Sequence, residues 1–104
     1  MQKRHENRNI YFKELSITSR NYFIPYIECW HPVEAKMDVL EIGCGEGGNL
    51  LPFSEIGCNT VGVDLAESRI KDAKTFFNES HTKGEFIASD IFNLKKLEQS
   101  FDII

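Results

Sequence analysis

The chain has 104 residues, which is enough for one small domain with one modest hydrophobic core. Hydrophobic residues make up 41% and charged residues 27%, as in ordinary globular proteins, and the net charge of -4 argues against nucleic acid as a partner. No apolar run reaches the roughly 18 residues of a membrane span, and the first residues do not form a secretory signal. We therefore expect a cytoplasmic protein without a membrane or nucleic-acid partner.

Two segments precede the first predicted strand. Residues 1–16 are polar and carry several basic side chains, so we expect a flexible N-terminal segment. Residues 17–30 place apolar and aromatic side chains at helical spacing, which predicts a lead-in helix that Pro25 kinks. We expect this helix to pack over the sheet or over a ligand crevice.

The rest of the chain alternates short apolar runs with amphipathic segments. The apolar runs predict four strands, at residues 37–42, 60–63, 85–88 and 101–104. The segments between them predict helices at residues 49–56 and 67–77 and a weak helical turn at residues 94–97. Helices between strands imply right-handed crossovers, so the sequence predicts an α/β fold with a parallel, Rossmann-like sheet and flanking helices.

Three features fall at the carboxyl ends of predicted strands, where α/β sheets bind their ligands. They are a glycine-rich loop at residues 43–48, Asp64 after the second strand and Asp90 after the third. Each acid has an alternative role as a turn or helix cap, and Asp64 with Glu67 has the spacing of a capping box. The coincidence of all three features predicts a binding site.

The glycine loop fits two ligand classes. Gly43, Gly45 and Gly48 match the dinucleotide pattern G-x-G-x-x-G, and Asp64 lies where a ribose-binding acid is expected. Glu41 before the loop and Glu46 within it argue against a pyrophosphate, which prefers positive potential. A ligand with an ammonium and a sulfonium group, such as S-adenosylmethionine, is compatible with these carboxylates.

The cysteines and histidines do not indicate a second kind of chemistry. Cys29, Cys44 and Cys58 are odd in number and form no C-x-x-C pair, so we expect no disulfide framework and no metal site. We interpret Cys44 as a small residue that fills a tight turn. The three histidines lie outside the predicted strand ends, and the sequence identifies no general base, so the catalytic residues stay unassigned.

Four motifs carry a family resemblance. The stretch VLEIGCGEGGNL, with Glu41, Gly43, Gly45 and Gly47, resembles the first motif of class I S-adenosylmethionine-dependent methyltransferases. VGVDLAESRI, FIASDIFNL and FDII resemble the second, third and fourth motifs, in the family's order and spacing. The resemblance covers residues 37–104, and the helix at residues 17–30 fits the family's lead-in.

The resemblance implies a cofactor, a set of contacts and an incomplete domain. The cofactor would be S-adenosylmethionine, with Asp64 on the ribose hydroxyls, Asp90 at the adenine amine, and Leu65 and Ile91 on the two faces of the ring. The full set of cofactor-binding residues would be Glu41, Gly43, Cys44, Gly45, Gly47, Asp64, Leu65, Asp90, Ile91 and Arg20. The family fold has seven strands, so residues 17–104 would form its cofactor-binding part, truncated after strand four.

The resemblance also implies an activity. We expect a methyltransferase, with the 104 residues alone inactive, and the acidic balance of the chain favours a small-molecule acceptor. An open sheet face and an exposed edge at strand four would allow homo-oligomers. The alternatives are a nicotinamide-dependent oxidoreductase and a cofactor-binding module without catalysis.

Overall fold

The structure is a computed structural model that describes the backbone of residues 2–90, 92 and 101–104 and, within these, the side chains from residue 7 onward. The predicted turn at residues 94–97 and the predicted site residue Ile91 lie outside the described residues. Among the described residues, no helix is long and apolar enough to cross a membrane.

A three-stranded parallel sheet in the order β1-β2-β3 forms the centre of the fold. The strands are β1 (Asp38–Ile42), β2 (Asn59–Asp64) and β3 (Glu85–Ala88), and the helices are α1 (Gln2–Thr18), α2 (Ile24–Glu28), α3 (Leu51–Ile56) and α4 (Glu67–Glu79). These elements confirm the predicted α/β class with helices flanking a parallel sheet. The first three predicted strands and the two helices between them agree with the structure to within about two residues at each end, the usual uncertainty of such boundaries.

The strand register brings the carboxyl ends of the strands to one edge of the sheet. Ile42 of β1 pairs with Val63 of β2, and Asp64 pairs with Ala88 of β3. Gly62 in β2 is required by close packing, because a Cβ atom there would lie 2.7 Å from the sulfur of Cys44. The loop after β1 is therefore held directly over the sheet.

The core joins α4, α1 and the sheet through aromatic contacts. The predicted apolar face of α4 is buried, with Ile70, Ala73, Phe76 and Phe77. The Phe77 and Phe86 ring centroids are 4.6 Å apart at an interplanar angle of 78°, an edge-to-face arrangement that stabilises aromatic pairs. Phe12 of α1 lies 4.9 Å from Phe76, again between ring centroids, so the N-terminal helix is part of the core.

The N-terminal segment corrects one expectation. Residues 1–16 were predicted to be flexible, whereas α1 spans Gln2–Thr18 and only 3% of Phe12 is exposed. The helical path continues through a π-helical turn, Ser19–Phe23, in which the Ile24 N–H bonds the Ser19 carbonyl. Pro25 follows this turn. The ring of a proline crowds the preceding turn of an α-helix, and the wider π-helical turn gives it room. The predicted distortion near Pro25 therefore takes the form of a π-helical turn.

The predicted fourth strand is present as a single bridge. Ile103 pairs in parallel with Val39, on the side of β1 that faces away from β2, and the Leu40 N–H donates to the Ile103 carbonyl at 2.9 Å. Asp102 adds a side-chain contact, since its carboxylate accepts the Asp38 N–H at 2.8 Å. Residues 101–104 thus lie where a fourth strand was expected, next to β1.

Candidate cofactor-binding site

The carboxyl edge of the sheet contains a cleft of about 480 Å³. The cleft brings together residues from all three strand ends, among them Ile42, Gly43, Asp64, Leu65, Ser89 and Asp90. Four of the predicted site residues, Gly43, Asp64, Leu65 and Asp90, therefore share one cleft. This placement agrees with the general position of ligands in parallel α/β sheets.

The glycines of the loop are required for different structural reasons. Gly43, Gly45 and Gly47 have φ angles of +72°, +55° and +84°, which other residues adopt only with strain. A Cβ atom at Gly43 or Gly45 would meet no atom within 4 Å. At Gly47 it would lie 2.9 Å from a ring carbon of Phe86. Gly43 and Gly45 leave room for a ligand, whereas Gly47 packs against the core.

Helix α1 lies against the glycine loop, a contact that sequence reasoning missed. A Cβ atom at Gly48 would lie 2.7 Å from the Phe12 carbonyl oxygen of α1. The Ser16 hydroxyl donates to the Gly48 carbonyl at 3.0 Å, and the Ser19 hydroxyl donates to the Asn49 carbonyl at 2.7 Å. Phe12 and Ser16 are both buried and lie four residues apart, on the same face of α1. This spacing is a weak sequence signal for a buried helix face.

Asp64 connects the glycine loop to the start of α4. One carboxylate oxygen accepts the Gly45 N–H and the other accepts the Ala66 N–H, each at 2.9 Å. The predicted capping box with Glu67 is not formed, because Ala66 is the N-cap and no side chain caps α4. Each carboxylate oxygen can accept a second hydrogen bond, so Asp64 can still bind ligand hydroxyl groups.

Asp90 lies at the opposite rim of the cleft in a tight turn. Its carboxylate accepts the Phe92 N–H at 3.0 Å. Leu65 and Phe92 are 76% and 93% exposed, so two apolar side chains at the cleft are open to a ligand. Sequence reasoning did not name Phe92 as a site residue. Ile91, which it named, lies outside the described residues.

Glu41 supplies a partly buried carboxylate beside this cleft. It lines an adjacent apolar groove of about 380 Å³ together with Asn49, and Ile42 borders both spaces. The Asn49 amide nitrogen donates to one Glu41 oxygen at 3.0 Å. The other Glu41 oxygen and the side-chain Oδ1 of Asn49 are buried and have no hydrogen-bond partner among the described residues. Burial raises the pKa of the Glu41 carboxyl, and the hydrogen bond from Asn49 opposes that rise. An unpaired carboxylate oxygen fits a positively charged ligand group.

Glu46 does not take part in the cleft. It is 7% exposed and faces Arg8 of α1, with 4.0 Å between the Arg8 Nε and a carboxylate oxygen. The Arg8 guanidinium also donates to Asp72 of α4 at 2.5 Å. The expectation that Glu46 places negative charge where phosphate oxygens would lie is therefore wrong, and the case against a pyrophosphate rests on Glu41.

Two other predicted site residues are not placed with their side chains in the cleft. The Arg20 guanidinium donates to Glu55 at 2.6 Å, near the C-terminal end of α3. Cys44 is buried against Gly62, so only its backbone belongs to the loop. Burial, followed by the charges of Glu41 and Asp64, raises the pKa of the Cys44 thiol to about 12. This thiol is not a nucleophile at neutral pH.

The known proteins to which this chain is similar are all methyltransferases in the comparisons described below. Residues 39–104 match the family described as "Methyltransferase domain". A ubiquinone biosynthesis O-methyltransferase of Rickettsia akari is 29% identical over 70 residues, which cover 67% of this chain and 28% of that protein. An mRNA cap guanine-N(7) methyltransferase of Schizosaccharomyces pombe is 30% identical over 83 residues, covering 71% of this chain and 23% of that protein.

A solved structure of a similar protein contains a bound ligand. PKMT2 from Rickettsia typhi in complex with AdoHcy (S-adenosylhomocysteine) is 35% identical, with a TM-score of 0.60, covering 65% of this chain and 14% of that chain. S-adenosylmethionine is the cofactor of the matched family. The chain spans about a quarter of the length of the curated relatives described above.

Proposed function

We propose that this chain, which belongs to the methyltransferase domain family, is the S-adenosylmethionine-binding part of an S-adenosylmethionine-dependent methyltransferase. One observation carries the proposal. Asp64 bonds the Gly45 N–H at 2.9 Å in a cleft that also contains Asp90, so the loop and both carboxylates form one ligand site.

The residues of the cleft have separate roles in holding the cofactor. Asp64 accepts the two ribose hydroxyls and Asp90 accepts the adenine amine, since carboxylates are strong acceptors for such donors. Leu65 provides apolar contact to the adenine ring from one side, and Ile91 is proposed for the other. Phe92, exposed at the same cleft, adds apolar surface there.

The glycine loop and Glu41 hold the amino-acid end of the cofactor. Gly43 and Gly45 let the backbone approach the ligand, because no protein atom occupies the space where a side chain would begin. Glu41 offers its unpaired oxygen to the ammonium group. Gly47 supports the loop from the core side, and Cys44 fills the turn behind it.

The chemistry requires orientation more than proton transfer. S-adenosylmethionine supplies a methyl group that is already activated by the sulfonium charge. The protein must hold this end of the ligand in a fixed direction and exclude water from it, which are the main contributions of binding sites to such transfers. Among the described residues we assign no general base, and the Cys44 thiol is too weakly acidic to serve as a nucleophile.

The proposed acceptor is a small molecule. The net charge of -4 supports this choice over a polyanionic acceptor. The relatives include an mRNA cap methyltransferase as well as a ubiquinone biosynthesis enzyme, so an RNA acceptor is the alternative that an acceptor screen must include. We also propose a reducing compartment such as the cytoplasm, consistent with three free cysteines.

We further propose self-association at the sheet edge beside residues 101–104. Ile42 and Ile104 are 50% and 79% exposed there, and exposed apolar edges favour pairing between chains. Light scattering over a range of protein concentrations tests this proposal. A mass that stays at one chain throughout would contradict it.

Titration calorimetry tests the cofactor assignment. We expect S-adenosylmethionine and S-adenosylhomocysteine to bind the chain and NAD not to bind. Asp64→Ala is expected to weaken S-adenosylhomocysteine binding by about 1.5–3 kcal/mol, the range for a hydrogen bond to a charged group. Binding of NAD with no binding of S-adenosylhomocysteine would replace this proposal with the oxidoreductase alternative. Cofactor binding without methyl transfer by the whole protein would favour a non-catalytic module.

A further inference from the structure

We propose that Asn49 is a positioning residue, which holds the Glu41 carboxylate so that its free oxygen receives the ammonium group of the cofactor. The inference rests on the proposed function and adds a residue that neither the motifs nor the cleft identified. Asn49 lies two residues after Gly47, outside the acid-x-G-x-G-x-G pattern.

The contact between Asn49 and Glu41 fixes which carboxylate oxygen is free. The Asn49 Nδ2 donates to Glu41 Oε2 at 3.0 Å, and Glu41 Oε1 has no partner in the part of the chain that the structure describes. The reverse orientation of the amide would place two acceptor oxygens against each other, so the donor must face Glu41. Removing the amide would free the carboxylate to rotate.

Asn49 is itself held from the N-terminal side. The Ser19 hydroxyl, on a fully buried residue, donates to the Asn49 carbonyl at 2.7 Å. Ser19 begins the π-helical turn, and π-helical turns are frequent at functional sites. Ser19 therefore holds Asn49 by its backbone carbonyl, while the side-chain amide of Asn49 holds Glu41.

One acceptor oxygen on each residue of this pair has no donor among the described residues. Glu41 Oε1 and Asn49 Oδ1 are buried, and a buried acceptor without a partner destabilises a fold. An ammonium group carries three donors and a positive charge, so it can donate to the charged Glu41 oxygen and has donors to spare for Asn49 Oδ1. Because the oxygens are buried, the ligand reaches them only after a small displacement of side chains in the groove.

The test compares two ligands that differ at the amino-acid end. S-adenosylhomocysteine carries the ammonium group, whereas 5′-methylthioadenosine keeps the adenosine and thioether and lacks the whole amino-acid part. Calorimetry with both ligands is carried out on the 104-residue chain and on Asn49→Ala. Asn49→Leu serves as a second variant that keeps the volume, and thermal unfolding without ligand reports whether either variant folds.

Asn59→Ala is the matched control. Asn59 also donates its amide to a carboxylate, that of Asp38 at 3.2 Å, but it lies at the start of β2, at the opposite edge of the sheet. The control removes the same kind of hydrogen bond without touching Glu41. We expect it to leave the affinity for both ligands unchanged.

The expected result is selective. Asn49→Ala and Asn49→Leu weaken S-adenosylhomocysteine binding about tenfold or more and leave 5′-methylthioadenosine binding unchanged. In a Glu41→Gln background, Asn49→Ala adds little further loss, because the two residues act as a unit.

Equal weakening of both ligands in the Asn49 variants, or no weakening of either, would overturn the positioning role. Failure of the unsubstituted chain to bind either ligand would instead overturn the proposed function. The two failures are therefore distinguishable.

Discussion

Gly47 and Gly45 provide a direct test of how the glycine loop is built. Both have positive φ angles, so replacing either by Ala costs about 1–2 kcal/mol in backbone strain. At Gly47 the new Cβ would also lie 2.9 Å from Phe86 and 3.2 Å from Phe77, and such overpacking costs about 1–3 kcal/mol more. At Gly45 no protein atom lies within 4 Å of the new Cβ.

We therefore expect Gly47→Ala to lower the free energy of unfolding by about 2–5 kcal/mol and Gly45→Ala by about 1–2 kcal/mol. Urea denaturation without ligand measures both values, with the slope of each transition as the check on two-state behaviour. Calorimetry with S-adenosylhomocysteine then separates stability from binding, because Gly45→Ala is expected to lose affinity through the side chain it adds beside the ligand. Equal losses of unfolding free energy in the two variants would refute the assignment of Gly47 to core packing.

Three further predictions concern charged groups. Asp64→Ala is expected to lower the unfolding free energy by about 1–3 kcal/mol in addition to its effect on ligand affinity, because the N–H groups of Gly45 and Ala66 lose their acceptor. Urea denaturation measures this loss. An unchanged unfolding free energy would contradict the role of Asp64 in connecting the glycine loop to α4. Arg8→Met is expected to lower the unfolding free energy by about 1.5–3 kcal/mol, since it leaves a buried Glu46 without its cation. Arg20→Met breaks the half-exposed pair with Glu55 and should lower it by less than about 1 kcal/mol in the same assay. Equal losses in the two variants would show that burial does not strengthen the Arg8 contacts.

The third of these predictions is a pH dependence. Burial raises the pKa of the Glu41 carboxyl, so the folded state binds this proton more tightly than the unfolded state does. Stability should fall as pH rises from the usual carboxyl pKa through the raised one. Glu41→Gln is expected to be more stable than the unsubstituted chain at neutral pH, with the difference vanishing at low pH, while its affinity for S-adenosylhomocysteine falls. A Glu41→Gln variant that is less stable at pH 7 would contradict this account.

The sheet could be predicted from the sequence because its elements have clear periodicity. Each strand is a short apolar run, and α4 places four apolar residues on one face, so the pattern alone indicates what is buried. The position of the cleft followed from the same pattern, because ligands bind at the carboxyl ends of parallel strands. Asp64 and Asp90 were found by this rule.

The N-terminal helix could not be predicted in the same way. The sequence of helix α1 is mostly polar, and among its side chains described from residue 7 onward the buried ones are Phe12 and Ser16. The position of α1 over the glycine loop depends on tertiary packing. The same packing determines the direction in which the side chains of the loop point. Glu46 faces Arg8 for this reason, which the spacing of the motif could not reveal.

The side-chain direction of Arg20 also could not be predicted from the sequence. A position on the helix before the first strand was compatible with a contact to the cofactor. The side chain instead reaches Glu55 on α3, and its direction depends on the π-helical turn. The rotation that such a turn introduces has no simple signal in sequence spacing.

Amide chemical-shift mapping with S-adenosylhomocysteine tests whether the cofactor binds at the carboxyl edge of the sheet. We expect the largest shifts at Gly43, Gly45, Leu65 and Asp90, which line or border the cleft. Residues at the opposite edge of the sheet, such as Gly84, should stay unchanged. Shifts concentrated around Gly84, or no shifts at saturating ligand, would contradict the account.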